Sequence, residues 1–259
     1  MDNLKFVLRL NAASCISFGL LFVVAPQVVA AFLGSIPPMI IFALGVGLLG
    51  NGAFLIAASL RKTLRKGEVI WFSLGDLGWW LATLGLIAAK IWITTTWGII
   101  LAVIVATIVA GLGVAQLWNL GLQAHNNTSK QHVRAIVTSW MALPMWVKVW
   151  LVVLNGVFLS ALALLPDRVA EVTLIAYVAT VPLLAGQLGY DGGLRRILSV
   201  AHLVPWSPLV AWLVIIPEWT SYTAILTLIV SICLAFDIND LRLFVKGERD
   251  VLGAGDVRS

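Results

Sequence analysis

Three ionisable side chains, Asp76, His202 and Asp237, stand within long apolar runs. Placing such a group in lipid costs roughly 2.5–3.5 kcal/mol on insertion scales, so each is a candidate for chemistry by default. The residue types suit the uptake of a proton, or the binding of an ion or small solute. An imidazole gains and loses a proton near neutral pH, and a neighbouring carboxylate favours its charged form. His202 and Asp237 are natural partners of that kind. Asp76 is eight residues past Glu68, His202 seven past Arg195, and Asp237 five before Arg242. At the helical rise these are depths of roughly 12, 10 and 8 Å, all within one third of a bilayer.

Neutral polar residues join them: Asn155, Gln187 and Gln116 at similar levels, and Asn51 nearer the midplane. The second half of the chain thus presents Asn155, Gln187, His202 and Asp237, one from each of four apolar segments. In a helical bundle these four can converge on one polar pocket. A structural reading competes, in which the same side chains make interhelical hydrogen bonds worth about 1 kcal/mol each and fix helix register. In that reading Asn51 or Gln116 satisfies Asp76. In a third, Asp237 and Asp240 merely reach the headgroup layer beside Arg242.

Several specific chemistries are set aside. Membrane haem wants axial His or Met ligands, and His202 is the one histidine in an apolar segment. No nucleophile elbow, zincin pair, phosphate loop or dinucleotide fingerprint stands in a strand–helix context. Lys90 falls at a helix end, where it snorkels rather than carrying a Schiff base. Cys15 and Cys233 have neither CxxC spacing nor a histidine adjacent in sequence, so neither a metal site nor a disulfide is expected of them. No cofactor is expected. The net charge of +5 is spread over short basic runs between apolar segments, which excludes the clustered basic face of a nucleic-acid binder.

The elements that must position these residues follow from composition. Apolar residues make up 61% of the chain and charged residues 11%, against about 45–50% and 25% in soluble domains. Runs long enough to span a bilayer as helices cover residues 10–33, 36–60, 69–89, 97–118, 147–165, 172–190, 196–216 and 220–241. They are continuous rather than alternating, which argues against a β-barrel. The expected fold is therefore an all-α integral membrane protein of about eight transmembrane helices. The first run is too long for a signal-peptide core and is kept as a span. Turn signals separate the runs, among them Gly34 to Pro38, Arg61 to Gly67, Gly192-Gly193 and Pro217-Glu218. Small residues at fourfold spacing, Gly78-Ala82, Gly85-Ala89 and Ala102-Ala106-Ala110, predict close contact between the third and fourth spans. Of the 12 tryptophans most fall at helix ends, as an interfacial belt should. Trp79, Trp80, Trp206 and Trp212 lie deeper, where core or lipid packing outweighs a ligand pocket.

Charge sets the direction. With the N-terminus inside, all of the 17 Lys and Arg residues except Lys90 and Arg168 fall on the inner side, as the positive-inside rule requires. Both termini are then cytoplasmic, in a plasma or inner membrane. Organisation divides into a first four-helix half (1–118), a cytoplasmic linker (119–145), a second four-helix half (146–245) and a cytoplasmic tail (246–259). Leu10-Asn11 matches Leu154-Asn155, and Ser73 to Trp80 matches Ser199 to Trp206 at a constant offset. A parallel duplication of four helices and chance likeness both stay open. The leading functional expectation is a small transporter or channel for protons, ions or a small solute. The alternative is a non-catalytic accessory subunit of a larger membrane complex, with an intramembrane enzyme behind both. The partners expected are the bilayer and either another membrane protein or a second copy of the chain.

Overall fold

A computed structural model describes residues 2–216 and 219–252, with Asp2 described for its backbone alone. The expected break at Pro217-Glu218 and the tail beyond residue 252 lie outside the described residues. Those described are nearly all helical, and eight helices are long and apolar enough to cross a membrane. The chain divides into two compact units, Met1–Ala124 and His125–Ser259.

The first unit contains α1 (Asp2–Val24), α2 (Pro26–Leu33), α3 (Pro38–Leu60), α4 (Lys66–Ala89) and α5 (Thr96–His125). The expected first span, 10–33, is thus corrected at both ends. It stops at Val24 because Pro26, lacking a backbone N–H, occupies the first turn of a new helix. It begins earlier because Leu4, Leu8, Ala12 and Cys15 form one buried stripe that carries Lys5 and Arg9 into the helix. A search for continuous apolarity misses such an amphipathic start.

The most extensive helix contact in this unit is α1 against α3. Glycine permits it: a Cβ on Gly45 would stand 2.8 Å from Phe22 Cβ, and one on Gly52 2.7 Å from Ile16 Cγ1. The small-residue stripe of α4 does not serve the same end, since a Cβ on Gly78 or Gly85 meets nothing within 4 Å. On α5 the stripe is buried, at Ala106, Ala110 and Gly113. The expected α4–α5 approach is therefore local, at Gly113, and the tight pair is α1–α3. At one end of the unit the loop after α2 meets the loop after α4. Ser35 N donates to Trp92 O at 3.1 Å and Thr94 N to Leu33 O at 2.9 Å. Gly34 takes φ +140° there, beyond the reach of a side-chain-bearing residue, and its missing Cβ leaves room for Thr94.

The second unit contains α6 (Ser129–Met141), α7 (Met145–Ser160), α8 (Arg168–Asp191), α9 (Val200–Ile215) and α10 (Ser221–Val245). Short 3₁₀ turns extend α7 through Leu164 and lead into α9 from Arg196. The linker is thus largely helical. A capping box starts α6, with Thr128 accepting from Gln131 N and the Gln131 side chain accepting from Thr128 N. The core of the unit gathers Leu154, Phe158, Trp206, Leu213, Leu226 and Val230 from α7, α9 and α10.

Candidate functional site

In the first unit a polar thread joins all four long helices. Asp76 Oδ2 on α4 accepts from Asn11 Nδ2 on α1 at 2.7 Å and from Gln116 Nε2 on α5 at 2.9 Å. Asn11 and Gln116 are wholly buried and Asp76 is 4% exposed. The thread continues on α1, where the Cys15 thiol lies 3.7 Å from Asn11 Oδ1, and reaches α3 through Asn51 Nδ2, 3.4 Å from Cys15 Sγ. Ser73, one turn before Asp76, donates to Val69 O and lies 3.5 Å from Gln116 Oε1. Gly113 makes the approach of α5 to α4 feasible, because a Cβ there would stand 2.9 Å from Asp76 Cβ.

The second unit holds a different group. His202 Nδ1 on α9 lies 3.3 Å from Asp237 Oδ1 on α10. One turn before Asp237, the Cys233 thiol points to Asp237 Oδ2 at 3.6 Å. Positions i and i+4 share a helix face, so α10 presents Cys233 and Asp237 together toward α9. The His202 side chain is 18% exposed and that of Asp237 11%. The imidazole is held flat: Trp206, one turn on, stacks on it with ring centroids 4.4 Å apart and planes at 14°. Trp206 meets Phe158 at 4.7 Å, and Phe158 stacks on Tyr177 at 5.1 Å. Nearer the end of α10, Asp240 pairs with Arg196, which also reaches Glu248 at 3.0 Å.

The four residues expected to converge do so only in part. His202 and Asp237 meet. Asn155 sits at the far end of the aromatic row, where its Oδ1 accepts from Tyr177 at 2.5 Å and its Nδ2 donates to Leu151 O. Gln187 on α8 has a buried Oε1 with no hydrogen-bond partner among the described residues. Of the other candidates, Asp76 takes Gln116 as a partner, while Asn51 turns to Cys15 instead.

Three members of these groups escaped sequence reasoning. Asn11 is legible in the sequence only as a repeat match, because at the edge of the apolar run 10–33 it carries no sign of depth, whereas α1 begins at Asp2 and buries it. Cys233 has no histidine near it in sequence, yet the α9–α10 contact brings His202 to it in space. Trp206 reads from the sequence as packing and does pack, against Phe158 on one hand and the His202 imidazole on the other. Compared with known protein families, curated proteins and solved structures, the chain finds no match in any of the three.

Proposed function

We propose that the chain is an integral membrane protein of eight spans with both termini cytoplasmic. We further propose that it transports or conducts protons, an ion or a small solute through the His202–Asp237 site of a plasma or inner membrane. The observation that carries this reading is an ionisable pair that keeps partial exposure inside otherwise apolar helices. A site that exchanges a ligand needs such access, whereas Asp76 is enclosed by two amide donors.

Exposed surface supports membrane insertion. Phe54, Trp97, Val152 and Ile215 are each 70% exposed or more, and apolar faces on this scale belong in lipid rather than water. Local contacts support the topology. Three segments assigned to the inner side, α6, the loop after α8 and the chain beyond α10, touch one another. Leu194 N donates to Ser139 Oγ at 2.8 Å and Leu252 N to Leu194 O at 2.9 Å. Helix α6 has the form of an interfacial helix. His132 and Ser139 face the unit, while Val133, Val137, Trp140 and Met141 form an exposed stripe beside Lys130 and Arg134.

The second reading is an accessory subunit that binds or assembles a larger complex. The sealed Asp76 thread favours it, since polar groups so completely paired serve architecture. Flux separates the two. In liposomes of purified protein, proton or solute flux is expected for wild type and its loss for His202→Ala and Asp237→Asn. Flux that ignores both substitutions overturns the site. Loss confined to Asp76→Asn moves it to the first unit. Absence of flux together with a stoichiometric co-purifying partner favours the accessory role.

A further inference from the structure

We infer that His202, Cys233 and Asp237 form a binding site for a divalent d-block metal ion of the Zn²⁺ type. This inference rests on reading the His202–Asp237 pair as a ligand site and names the class of ligand it takes. Each residue offers one ligand atom, and the three atoms lie within 4.8 Å of one another. An ion with Zn–N and Zn–O near 2.0–2.2 Å and Zn–S near 2.3 Å holds tetrahedral ligands about 3.3–3.8 Å apart. Two contacts within the group already have that length, 3.3 Å from His202 Nδ1 to Asp237 Oδ1 and 3.6 Å from Cys233 Sγ to Asp237 Oδ2, one at each carboxylate oxygen.

The donor set fits a borderline-soft ion. Thiolate and imidazole disfavour Mg²⁺ and Ca²⁺, which take oxygen ligands, and suit Zn²⁺ or its substitute Co²⁺. Charge fits as well. One thiolate and one carboxylate balance a divalent cation beside a neutral imidazole, so the filled site carries no net charge. That matters in a bilayer, where an uncompensated charge is costly. As the metal–sulfur bond forms, the Cys233 thiol proton leaves to water, so binding releases a proton and strengthens as pH rises. Three protein ligands leave a fourth position for water or an incoming group, the arrangement of zinc sites that exchange ligands. Stacking on Trp206 holds the ring in place before the ion arrives.

A hydrogen-bonded trio has similar spacing, so the test must read the ion itself. Protein purified in mild detergent is stripped with chelator and titrated with Zn²⁺, Co²⁺ and Mg²⁺. Wild type is expected to take up one Zn²⁺ per chain, to show a thiolate-to-Co²⁺ charge-transfer band, and to melt at higher temperature with Zn²⁺ but not with Mg²⁺. Cys233→Ser should remove the band and weaken Zn²⁺ binding by at least about tenfold, the loss that even an outer-shell partner's removal causes. Cys15→Ser should change neither. Wild type that binds no stoichiometric Zn²⁺, or binding that survives Cys233→Ser, overturns the inference, and the wild-type measurement decides even where a variant fails to fold. The outcomes also separate this inference from transport. Zn²⁺ bound without flux overturns transport alone, and flux without Zn²⁺ overturns the metal site alone.

Discussion

The Asp76 carboxylate accepts two N–H bonds through a single oxygen, Oδ2, from donors on two other helices. In a membrane protein such interhelical bonds average about 0.6 kcal/mol and reach about 1.7 kcal/mol. Their removal costs more when it leaves both amides buried and unpaired. Asp76→Ala is therefore expected to lower the stability of the detergent-purified protein by about 1–3 kcal/mol, read as a fall in melting temperature. Asp76→Asn keeps an oxygen for the same two donors and should cost less than about 1 kcal/mol. Equal losses in the two variants would show that the charge itself, rather than the acceptor, holds the thread. At this scale the sequence was informative about the ionisable members of the contacts and less so about their neutral partners. Asp76, His202 and Asp237 stand out because ionisable groups are rare in apolar runs. Asn11, Gln116 and Cys233 are ordinary by type and matter only by azimuth. A helix apolar all round its circumference gives no periodicity from which azimuth can be read.

Helices α1 and α3 meet where glycine replaces a side chain, and this makes their contact testable without touching a polar group. Adding bulk to a well-fitted contact costs typically 1–3 kcal/mol. Gly45→Leu should destabilise by that amount, because its Cβ already falls 2.8 Å from Phe22 Cβ and 3.0 Å from the Gly19 carbonyl oxygen. Gly47→Leu is the matched control: two residues along the same helix, its Cβ meets nothing within 4 Å. Thermal melts of the two variants in one detergent provide the comparison, and a Gly47→Leu loss as large as that of Gly45→Leu would refute the contact as the cause. Element existence was legible here, since continuous apolar length is what a spanning helix requires. The choice of helix neighbours was not. Fourfold small-residue spacing on α4 pointed toward α5, but Gly78 and Gly85 face open space. Spacing identifies a smooth face without saying which helix, or which lipid, lies against it. Boundaries failed where amphipathic turns continue a helix past its apolar run, as at Lys5 and Arg9. They failed again where Pro26 divides one apolar run into two helices.

Within each unit, the third and fourth long helices carry facing polar partners, Asp76 with Gln116 on α4 and α5, and His202 with Asp237 on α9 and α10. The two pairs hold corresponding places in the order of long helices and differ in chemistry, the first being enclosed and the second partly open. A parallel duplication requires the two units to enter the membrane from the same side, and charge placement makes the same demand. Labelling of single cysteines introduced at exposed loop positions puts both to one test. Lys62 precedes α4, Lys90 ends it, and Lys130 opens α6, and all three are exposed. In intact cells a membrane-impermeant maleimide should label Lys90→Cys, whereas Lys62→Cys and Lys130→Cys should react only after permeabilisation. The native cysteines are buried and replaced by serine for the purpose. The opposite pattern would invert the protein against the positive-inside rule, which counts Lys and Arg in short loops for orientation. Lys62 and Lys130 reporting on different sides would break the pairing of α4 with α5 as two successive crossings. The second unit would then enter from the side opposite to the first, which excludes a parallel repeat and leaves only an inverted one.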